Sequence, residues 1–600
     1  MSVMIRFDRA SFIYDEDLPQ EVHAVRDISL DVERAGHVAI LGRNGSGKST
    51  VARLVNALLL AKSGTIEVGG IEPVDDETVY LVRRQCGMVF QNPDNQIVGT
   101  TVEEDVAFGP ENLGMPWERM QKAVTSALDA VGLNQLRTRA PHELSGGQKQ
   151  KLAIAGALAM QPHCLILDEA TAMLDPESAV EFLQLVEQLR ERRGLTVLTI
   201  THNMEEALLA DYVYVVDRGQ IALSGTPSDV FDNAATILQL GLDVPRHIEI
   251  ASEIARRTNQ PLLPGEAFTF MDAVTAVESR LESFVSKGAG DRLYQTAKTI
   301  QTDVDKETPN DRDPEEILIS VDHLSHAYDE KQPDVKSLDD VSFTVKRGEL
   351  LGIVGHSGSG KSTLIQHLNA LIRPPKGKVK VLGLDASENK NIKVIRRHLG
   401  LLFQYPEHQL FEETVAKDIA FGLGGEKLTQ EEIDLRVEEA ARNVGLDKAL
   451  LDRSPFELSG GQKRRAAIAG ILVMRPDVLV LDEPAAGLDP EGKRDILNDA
   501  LLLQKQGVTI LIVSHNMDDI ARVADRLLVL NKGRVHQWGT PAEVFSDEVR
   551  LQQAGLEVPR SMRFLQAFEG IYPGIRTDLF RADLAALELL RAAAEASHGA

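Results

Sequence analysis

The sequence predicts an α/β protein built from two large repeated domains, each organised around a mostly parallel sheet. Three observations predict it. The run Gly-Arg-Asn-Gly-Ser-Gly-Lys-Ser-Thr at residues 42–50 returns as Gly-His-Ser-Gly-Ser-Gly-Lys-Ser-Thr at 355–363. The motifs that follow stay in register: Gln91 answers to Gln404 and His202 to His515 at an offset of 313, and Asp168-Glu169 answers to Asp482-Glu483 at 314. Apolar strands also alternate with helical stretches, as in parallel sheets. A repeat this long is a whole domain, not a solenoid unit.

Taken in order, residues 3–7 and 28–32 read as short strands before the apolar strand 37–41, which runs into the first glycine loop and a helix from 48 to about 60. Strand, loop and helix form the setting such a loop requires. Apolar strands follow at 164–167, 196–200 and 212–216. Residues 92–160 turn helical and read as an inserted helical subdomain, with 406–474 as the counterpart. The first domain is expected over 1–245 and the second over 315–559. Between them a helical extension is expected over 246–285, where Phe268, Met271, Val274, Val277, Leu281, Phe284 and Val285 recur at helical spacing and predict a helix over 266–285 that packs on the first domain. Residues 286–314 are polar and read as a tether. Residues 560–600 form a second extension, helix-like over 582–596.

Composition narrows the function. No stretch approaches the apolar length that spans a bilayer, and the N-terminus lacks a signal-like core, so a cytoplasmic chain is expected. A formal charge of −25 argues against a nucleic-acid surface, which needs a basic stripe. Cys86 and Cys164 sit in apolar segments without metal-ligand spacing and read as buried thiols.

The chemistry resides in the repeated motifs. In Gly42-x-x-x-x-Gly47-Lys48-Ser49 the glycines let backbone N–H groups turn toward phosphate oxygens, the lysine neutralises the outer phosphates, and the serine hydroxyl suits magnesium; Gly360, Lys361 and Ser362 repeat those roles. The following helix adds its positive end. Four apolar residues lead into Asp168-Glu169 and four into Asp482-Glu483, so a buried strand delivers two carboxylates to the edge of the sheet. The aspartate can hold magnesium and the glutamate can polarise water. His202 and His515 follow apolar strands and can reach a terminal phosphate as charge develops. Leu-Ser-Gly-Gly-Gln at 144–148 and 458–462 places a capping serine and two glycines at a helix start, an anion site.

With these runs the chain resembles the ATP-binding cassette family over nearly its full length. The resemblance implies two P-loop cores, each with an antiparallel β subdomain and a helical signature subdomain. It implies ATP contacts from Gly42, Asn44, Gly45, Ser46, Gly47, Lys48, Ser49 and Thr50, and from Gly355, Ser357, Gly358, Ser359, Gly360, Lys361, Ser362 and Thr363. It implies that each signature closes on ATP held by the opposite domain: Lys48, Glu169 and His202 with Ser459, Gly460, Gly461 and Gln462, and Lys361, Glu483 and His515 with Ser145, Gly146, Gly147 and Gln148. The adenine-stacking aromatic falls on Tyr14 and Tyr328, and magnesium on Ser49, Gln91, Asp168, Ser362, Gln404 and Asp482.

A narrower resemblance begins at the glutamines. Phe-Gln-Asn-Pro-Asp-Asn-Gln-Ile from Phe90 and Phe-Gln-Tyr-Pro-Glu-His-Gln-Leu-Phe from Phe403 look like the paired ATPases of energy-coupling factor importers, here fused. That implies docking at the cytoplasmic membrane face on a transmembrane coupling subunit, which works with a small substrate-capturing membrane protein for vitamins or metal ions. Gln91 and Gln404 would link magnesium to that surface. Two departures stand out: Ala170 lies where Pro484 lies in the second half, and Ala485 replaces a common threonine, so unequal rates are expected from two otherwise complete sites. The rivals are a different transporter class, or a soluble tandem cassette protein acting on ribosomes or DNA. Residues 246–313 carry 9 Lys/Arg against 12 Asp/Glu, which disfavours the soluble rival's basic arm.

Overall fold

The computed structural model describes residues 2–14, 21–286, 316–328, 336–374, 376–404 and 409–598. The tether expected at 286–314 lies outside them from residue 287 onward, as do residues 405–408 of the second glutamine motif and the last two residues. The described chain divides into two compact units: Met1–Ser252 with Pro261–Ala276 and Asp489–Glu491, and Glu253–Gln260 with Val277–Leu488 and Gly492–Ala600.

At the centre of the first unit is a six-stranded sheet in the order Cys86–Val89, Cys164–Asp168, Thr196–Thr201, His37–Leu41, Tyr212–Asp217, Gln220–Gly225. The first five strands run parallel and the last antiparallel. Every residue of His37–Leu41, Cys164–Asp168 and Thr196–Thr201 is buried, which explains their apolar runs: parallel strands are covered on both faces. A three-stranded antiparallel sheet, Val22–Glu33, Val3–Tyr14 and Ser63–Val68, shares an apolar core with the helix Lys48–Val55. Helices Val102–Asn112, Trp117–Ala130 and Gly146–Ala159 form the helical subdomain around Val106, Val124, Leu128 and Leu152. The first of them starts on a capping box between Thr101 and Glu104, which satisfies otherwise orphaned N–H groups.

The helix after the first glycine loop is shorter than the sequence predicts, ending at Val55 instead of near residue 60. Ala57 turns left-handed at φ 49°, and Leu58 N then donates to Arg53 O at 2.9 Å, a helix-terminating turn made without glycine.

The second unit repeats the plan. Its six-stranded sheet runs Leu399–Leu402, Val478–Asp482, Thr509–Val513, Leu350–Val354, Arg526–Asn531, Arg534–Gly539, and its antiparallel sheet gains a fourth, two-residue strand, Leu384–Asp385. Helices Val415–Phe421, Gln430–Asn443 and Gly460–Leu472 make the helical subdomain. Toward the C-terminus come helices Arg560–Gln566 and Ala582–His598; the nearly inaccessible carboxylate of Glu588 is held there by Arg591 and by the backbone N–H of Arg576. The helix expected between the halves is Phe270–Ser286, in which Val274, Val277, Leu281 and Phe284 are buried and Met271 is exposed. Both cysteines are free and buried, as the sequence predicts.

Candidate functional site

The strand His37–Leu41 ends at the first glycine loop, and the helix beginning at Lys48 leaves from it. Gly47 lies at φ 104°, and a Cβ there would sit 2.1 Å from the Ala24 carbonyl oxygen, so the loop can pass only as glycine. Gly360 repeats this at the same φ against the Ser337 carbonyl. The loop is closed by Ser46 N donating to Arg43 O and by Gly219 N donating to Ser46 O. Lys48 folds back so that Nζ donates to Arg43 O at 2.7 Å, and Lys361 Nζ donates to Gly355 O at 2.6 Å and to His356 O at 3.0 Å. Burial lowers the affinity of Lys48 for its proton, partly offset by Glu169. The hydroxyls of Ser46 and Ser359 are buried without a hydrogen-bond partner, so each loop holds one polar atom that its own fold leaves unsatisfied. Asn44, Gly45, Ser357 and Gly358 are exposed at the tips, while Thr50 and Thr363 are buried.

The buried strands deliver the carboxylates as the sequence predicts. Ser49 Oγ donates to Asp168 Oδ1 at 2.9 Å. Glu169 Oε1 lies 3.8 Å from Lys48 Nζ and 3.3 Å from His202 Nδ1, so lysine, glutamate and histidine converge. In the second cassette His515 Nδ1 lies 2.8 Å from Glu483 Oε2. Burial pushes the Asp168 carboxyl up against the pull of Ser49, and pushes Asp482 up to about 6. No Ser362–Asp482 hydrogen bond forms, and Ser362 is exposed where Ser49 is half-buried.

Sequence reasoning did not foresee that both glutamates are left-handed, Glu169 at φ 52° and Glu483 at φ 47°. Their N–H groups donate to the neighbouring strand, at Ile200 O and Val513 O. A non-glycine residue there stores on the order of 1–2 kcal/mol of strain, which the paired strand ends hold in place. No composition signal marks such a residue.

Tyr14 and Tyr328 stand at the antiparallel sheets, with Oη 3.4 Å from Thr50 Oγ1 and 3.2 Å from Thr363 Oγ1, next to the helices that begin at the loop lysines. Gln91 and Gln404 follow the strands Cys86–Val89 and Leu399–Leu402 and are half-buried.

Each signature begins a helix through a capping box. Ser145 Oγ accepts from Gln148 N while Gln148 Oε1 accepts from Ser145 N, and Ser459 and Gln462 repeat the exchange. The cap uses only acceptor oxygens, so each serine keeps its O–H and each glutamine its amide N–H groups as donors. Space for a ligand lies at the glycines: a Cβ on Gly146, Gly460 or Gly461 would meet nothing within 4 Å, and on Gly147 only Ser178. Among the described residues no hydrogen bond joins either signature to the glycine loop of its own cassette.

Two buried residues that the motifs did not single out tie the signature helices inward, differently in each half. Gln150 Nε2 donates to Phe90 O at 3.1 Å, fastening the first signature helix to the glutamine segment. Its counterpart Arg464 instead donates to Pro484 O at 2.6 Å and Ala486 O at 3.1 Å, fastening the second to the loop after the carboxylates. In the corresponding loop of the first cassette Thr171 Oγ1 donates to the buried Glu206, a bond Ala485 cannot make.

A family model described as ABC transporter matches residues 25–172 and again 338–486. A protein of Caldanaerobacter subterraneus subsp. tengcongensis, provisionally named an ABC transporter ATP-binding protein, is 32% identical over 557 residues, covering 92% of this chain and 93% of its own. The chain belongs to the ABC transporter ATP-binding proteins. Another member, provisionally named the HMP/thiamine import ATP-binding protein YkoD of Bacillus subtilis, is 32% identical over 93% of this chain and 95% of its own length. The energy-coupling factor transporter ATP-binding protein EcfA2 of Caldanaerobacter subterraneus is 54% identical over 245 residues, 40% of this chain and 86% of that one. The chain is therefore a tandem-cassette, ATP-hydrolysing motor for an ABC transporter. No helix among the described residues is long and apolar enough to cross a membrane.

Proposed function

We propose that this chain powers an importer of the energy-coupling factor type, taking up a vitamin or metal ion through separate membrane subunits. The observation that carries the reading is the 54% identity of one 245-residue stretch to EcfA2. The named role of YkoD in HMP/thiamine import agrees in kind. Exposed aromatics on the helical subdomains suit docking on the apolar segments of a transmembrane coupling subunit: Phe108 and Trp117 in the first half, and in the second Phe411 and Phe421, whose rings meet edge to face at 4.8 Å. A small substrate-binding membrane subunit completes the importer, with this chain peripheral on the cytoplasmic face.

In each cassette the loop N–H groups and Lys48 or Lys361 hold the ATP phosphates, and Tyr14 or Tyr328 stacks on adenine. Glu169 and Glu483 take a proton from the attacking water, and His202 and His515, beside them, steady the charge on the terminal phosphate. The Ser49–Asp168 contact, hydroxyl beside carboxylate, fits magnesium with Gln91, and Ser362, Asp482 and Gln404 supply the same donor types. Bound there, magnesium neutralises phosphate charge. The open glycines of each signature receive the nucleotide held by the other cassette, so ATP closes the pair and hydrolysis releases it. Joining the two cassettes in one chain raises their effective concentration, on the order of millimolar for linked modules.

The test is purification of the tagged full chain from native membranes. Recovery with two small hydrophobic subunits is expected; recovery with ribosomes or DNA, or without any membrane protein, would overturn the reading.

A further inference from the structure

The second cassette carries a histidine pair that the first does not. His326, at the end of the strand Ile317–His326, stands edge to face with Tyr328, ring centroids 4.7 Å apart. His367, in the helix Lys361–Leu368 that starts at the phosphate-loop lysine, meets His326 edge to face at 4.9 Å and is fully buried. Tyr328 bonds Thr363 of that same helix, so tyrosine, both imidazoles and the helix form one packed group. All four ring nitrogens are inaccessible and none has a partner at full hydrogen-bond geometry; the Ile372 backbone beside His367 is the one polar group that supports either ring. Buried polar groups are ordinarily satisfied, so a pair of unsatisfied imidazoles is unusual. At the corresponding positions of the first cassette stand Phe12, edge to face with Tyr14 at 4.8 Å, and the buried Leu54. There the same packing is made from apolar groups alone.

We propose that His326 and His367, in their neutral forms, are positioning residues that hold Tyr328 in place for the adenine, and that they make nucleotide binding at the second cassette, but not the first, sensitive to acid. The inference rests on Tyr328 being the adenine platform. A proton on either ring would place a charge where no counter-charge waits and another imidazole is in contact. Burial alone depresses His326; for His367, burial first and then His326 act in that sense, opposed only by the Ile372 backbone, and lower it to about 4. No carboxylate, lysine or arginine from the flanking strands or from the helix contributes to either shift. The sign follows. An arrangement that exposes the rings binds protons near the ordinary histidine value, whereas the packed one does not until about pH 4. Packing behind Tyr328 is therefore at full strength above the ordinary value and weakens as pH falls toward 4.

The experiment measures ATP binding by the full-length chain at pH 7.5 and 5.5, with Lys48→Ala to report the second cassette and Lys361→Ala to report the first. Protonation of ATP itself affects both, so the first cassette is the control. An extra loss of affinity at the second cassette, up to roughly tenfold for one suppressed proton, is expected. His326→Phe with His367→Leu should remove it, and Phe12→His with Leu54→His should install it in the first. Equal responses in the two cassettes, or an unchanged response in the His326→Phe, His367→Leu chain, overturn the inference. Tyr328→Ala tests the platform separately: no loss of second-cassette affinity at pH 7.5 sinks that reading and the inference together, whereas a loss accompanied by a persisting acid response in the double variant sinks the inference alone. Histidine C2 hydrogen exchange followed by mass spectrometry on the unaltered chain stands even if a variant misfolds; titration of His326 and His367 at the ordinary value contradicts the proposal.

Discussion

Glu169 and Glu483 are the residues on which turnover is expected to depend. Each sits beside its histidine and, in the first cassette, within 4 Å of the loop lysine. Glu169→Gln with Glu483→Gln keeps the shape and removes the base, so ATP hydrolysis should fall at least 100-fold while ATP stays bound, read by phosphate release and by retained nucleotide. Unchanged release would contradict both assignments. The unequal neighbourhoods of Asp168 and Asp482 give a second expectation. Asp482, pushed up to about 6 by burial and without a serine bond, takes up a proton on mild acidification of the nucleotide-free chain. Because its folded value is raised, the neutral form favours the fold, and that contribution is lost as pH rises through about 6. Asp482→Asn should flatten this part of the melting-temperature profile between about pH 4 and 6. Which residues gather at this scale was legible from the doubled motifs, as the approach of each glutamate to its histidine shows; their roles are what these variants test. Left-handed backbone at the glutamates was not legible, because it is imposed by strand pairing at Ile200 and Val513 and leaves no mark on composition.

At the scale of elements, the signature helices combine a legible start with an illegible anchorage. Ser145 as cap follows from its residue type, and Ser145→Ala should cost the helix Gly146–Ala159 about 1 kcal/mol, seen as faster amide exchange in its first turn. No change in exchange would show that the capping box contributes nothing. Gln150 and Arg464 could not be assigned from sequence, since a polar residue on a helix reads as solvated; only the fold shows each buried and donating to a different loop. Removing a buried donor leaves carbonyls unpaired, so Arg464→Ala should slow the second cassette more than Gln150→Ala slows the first, because Arg464 braces the loop directly after Glu483. Single-turnover rates in Lys48→Ala and Lys361→Ala backgrounds separate the two. Central strands were read correctly because parallel strands buried on both faces leave uninterrupted apolar runs. Where the first helix ends was misread, since its left-handed stop falls on Ala57 and not on a glycine.

For the whole molecule, the duplication is the feature that sequence revealed most fully. Two in-register motif sets become two units with the same sheet order, and the family model matches once in each. The extensions were less legible, because helical periodicity identifies an amphipathic face without naming what covers it; Met271 fits the period and is nevertheless exposed. The central claim is that each ATP is shared, bound by one cassette's loop and completed by the other's signature. Gly146 tests it, since a side chain there meets no atom of its own surroundings and should leave its own domain intact. Site-resolved photolabelling of the full-length Gly146→Glu chain with azido-ATP is the most direct measurement. Loss of label in the half containing Lys361, with the Lys48 half retained, is the expected result. Loss confined to the Lys48 half would contradict the claim.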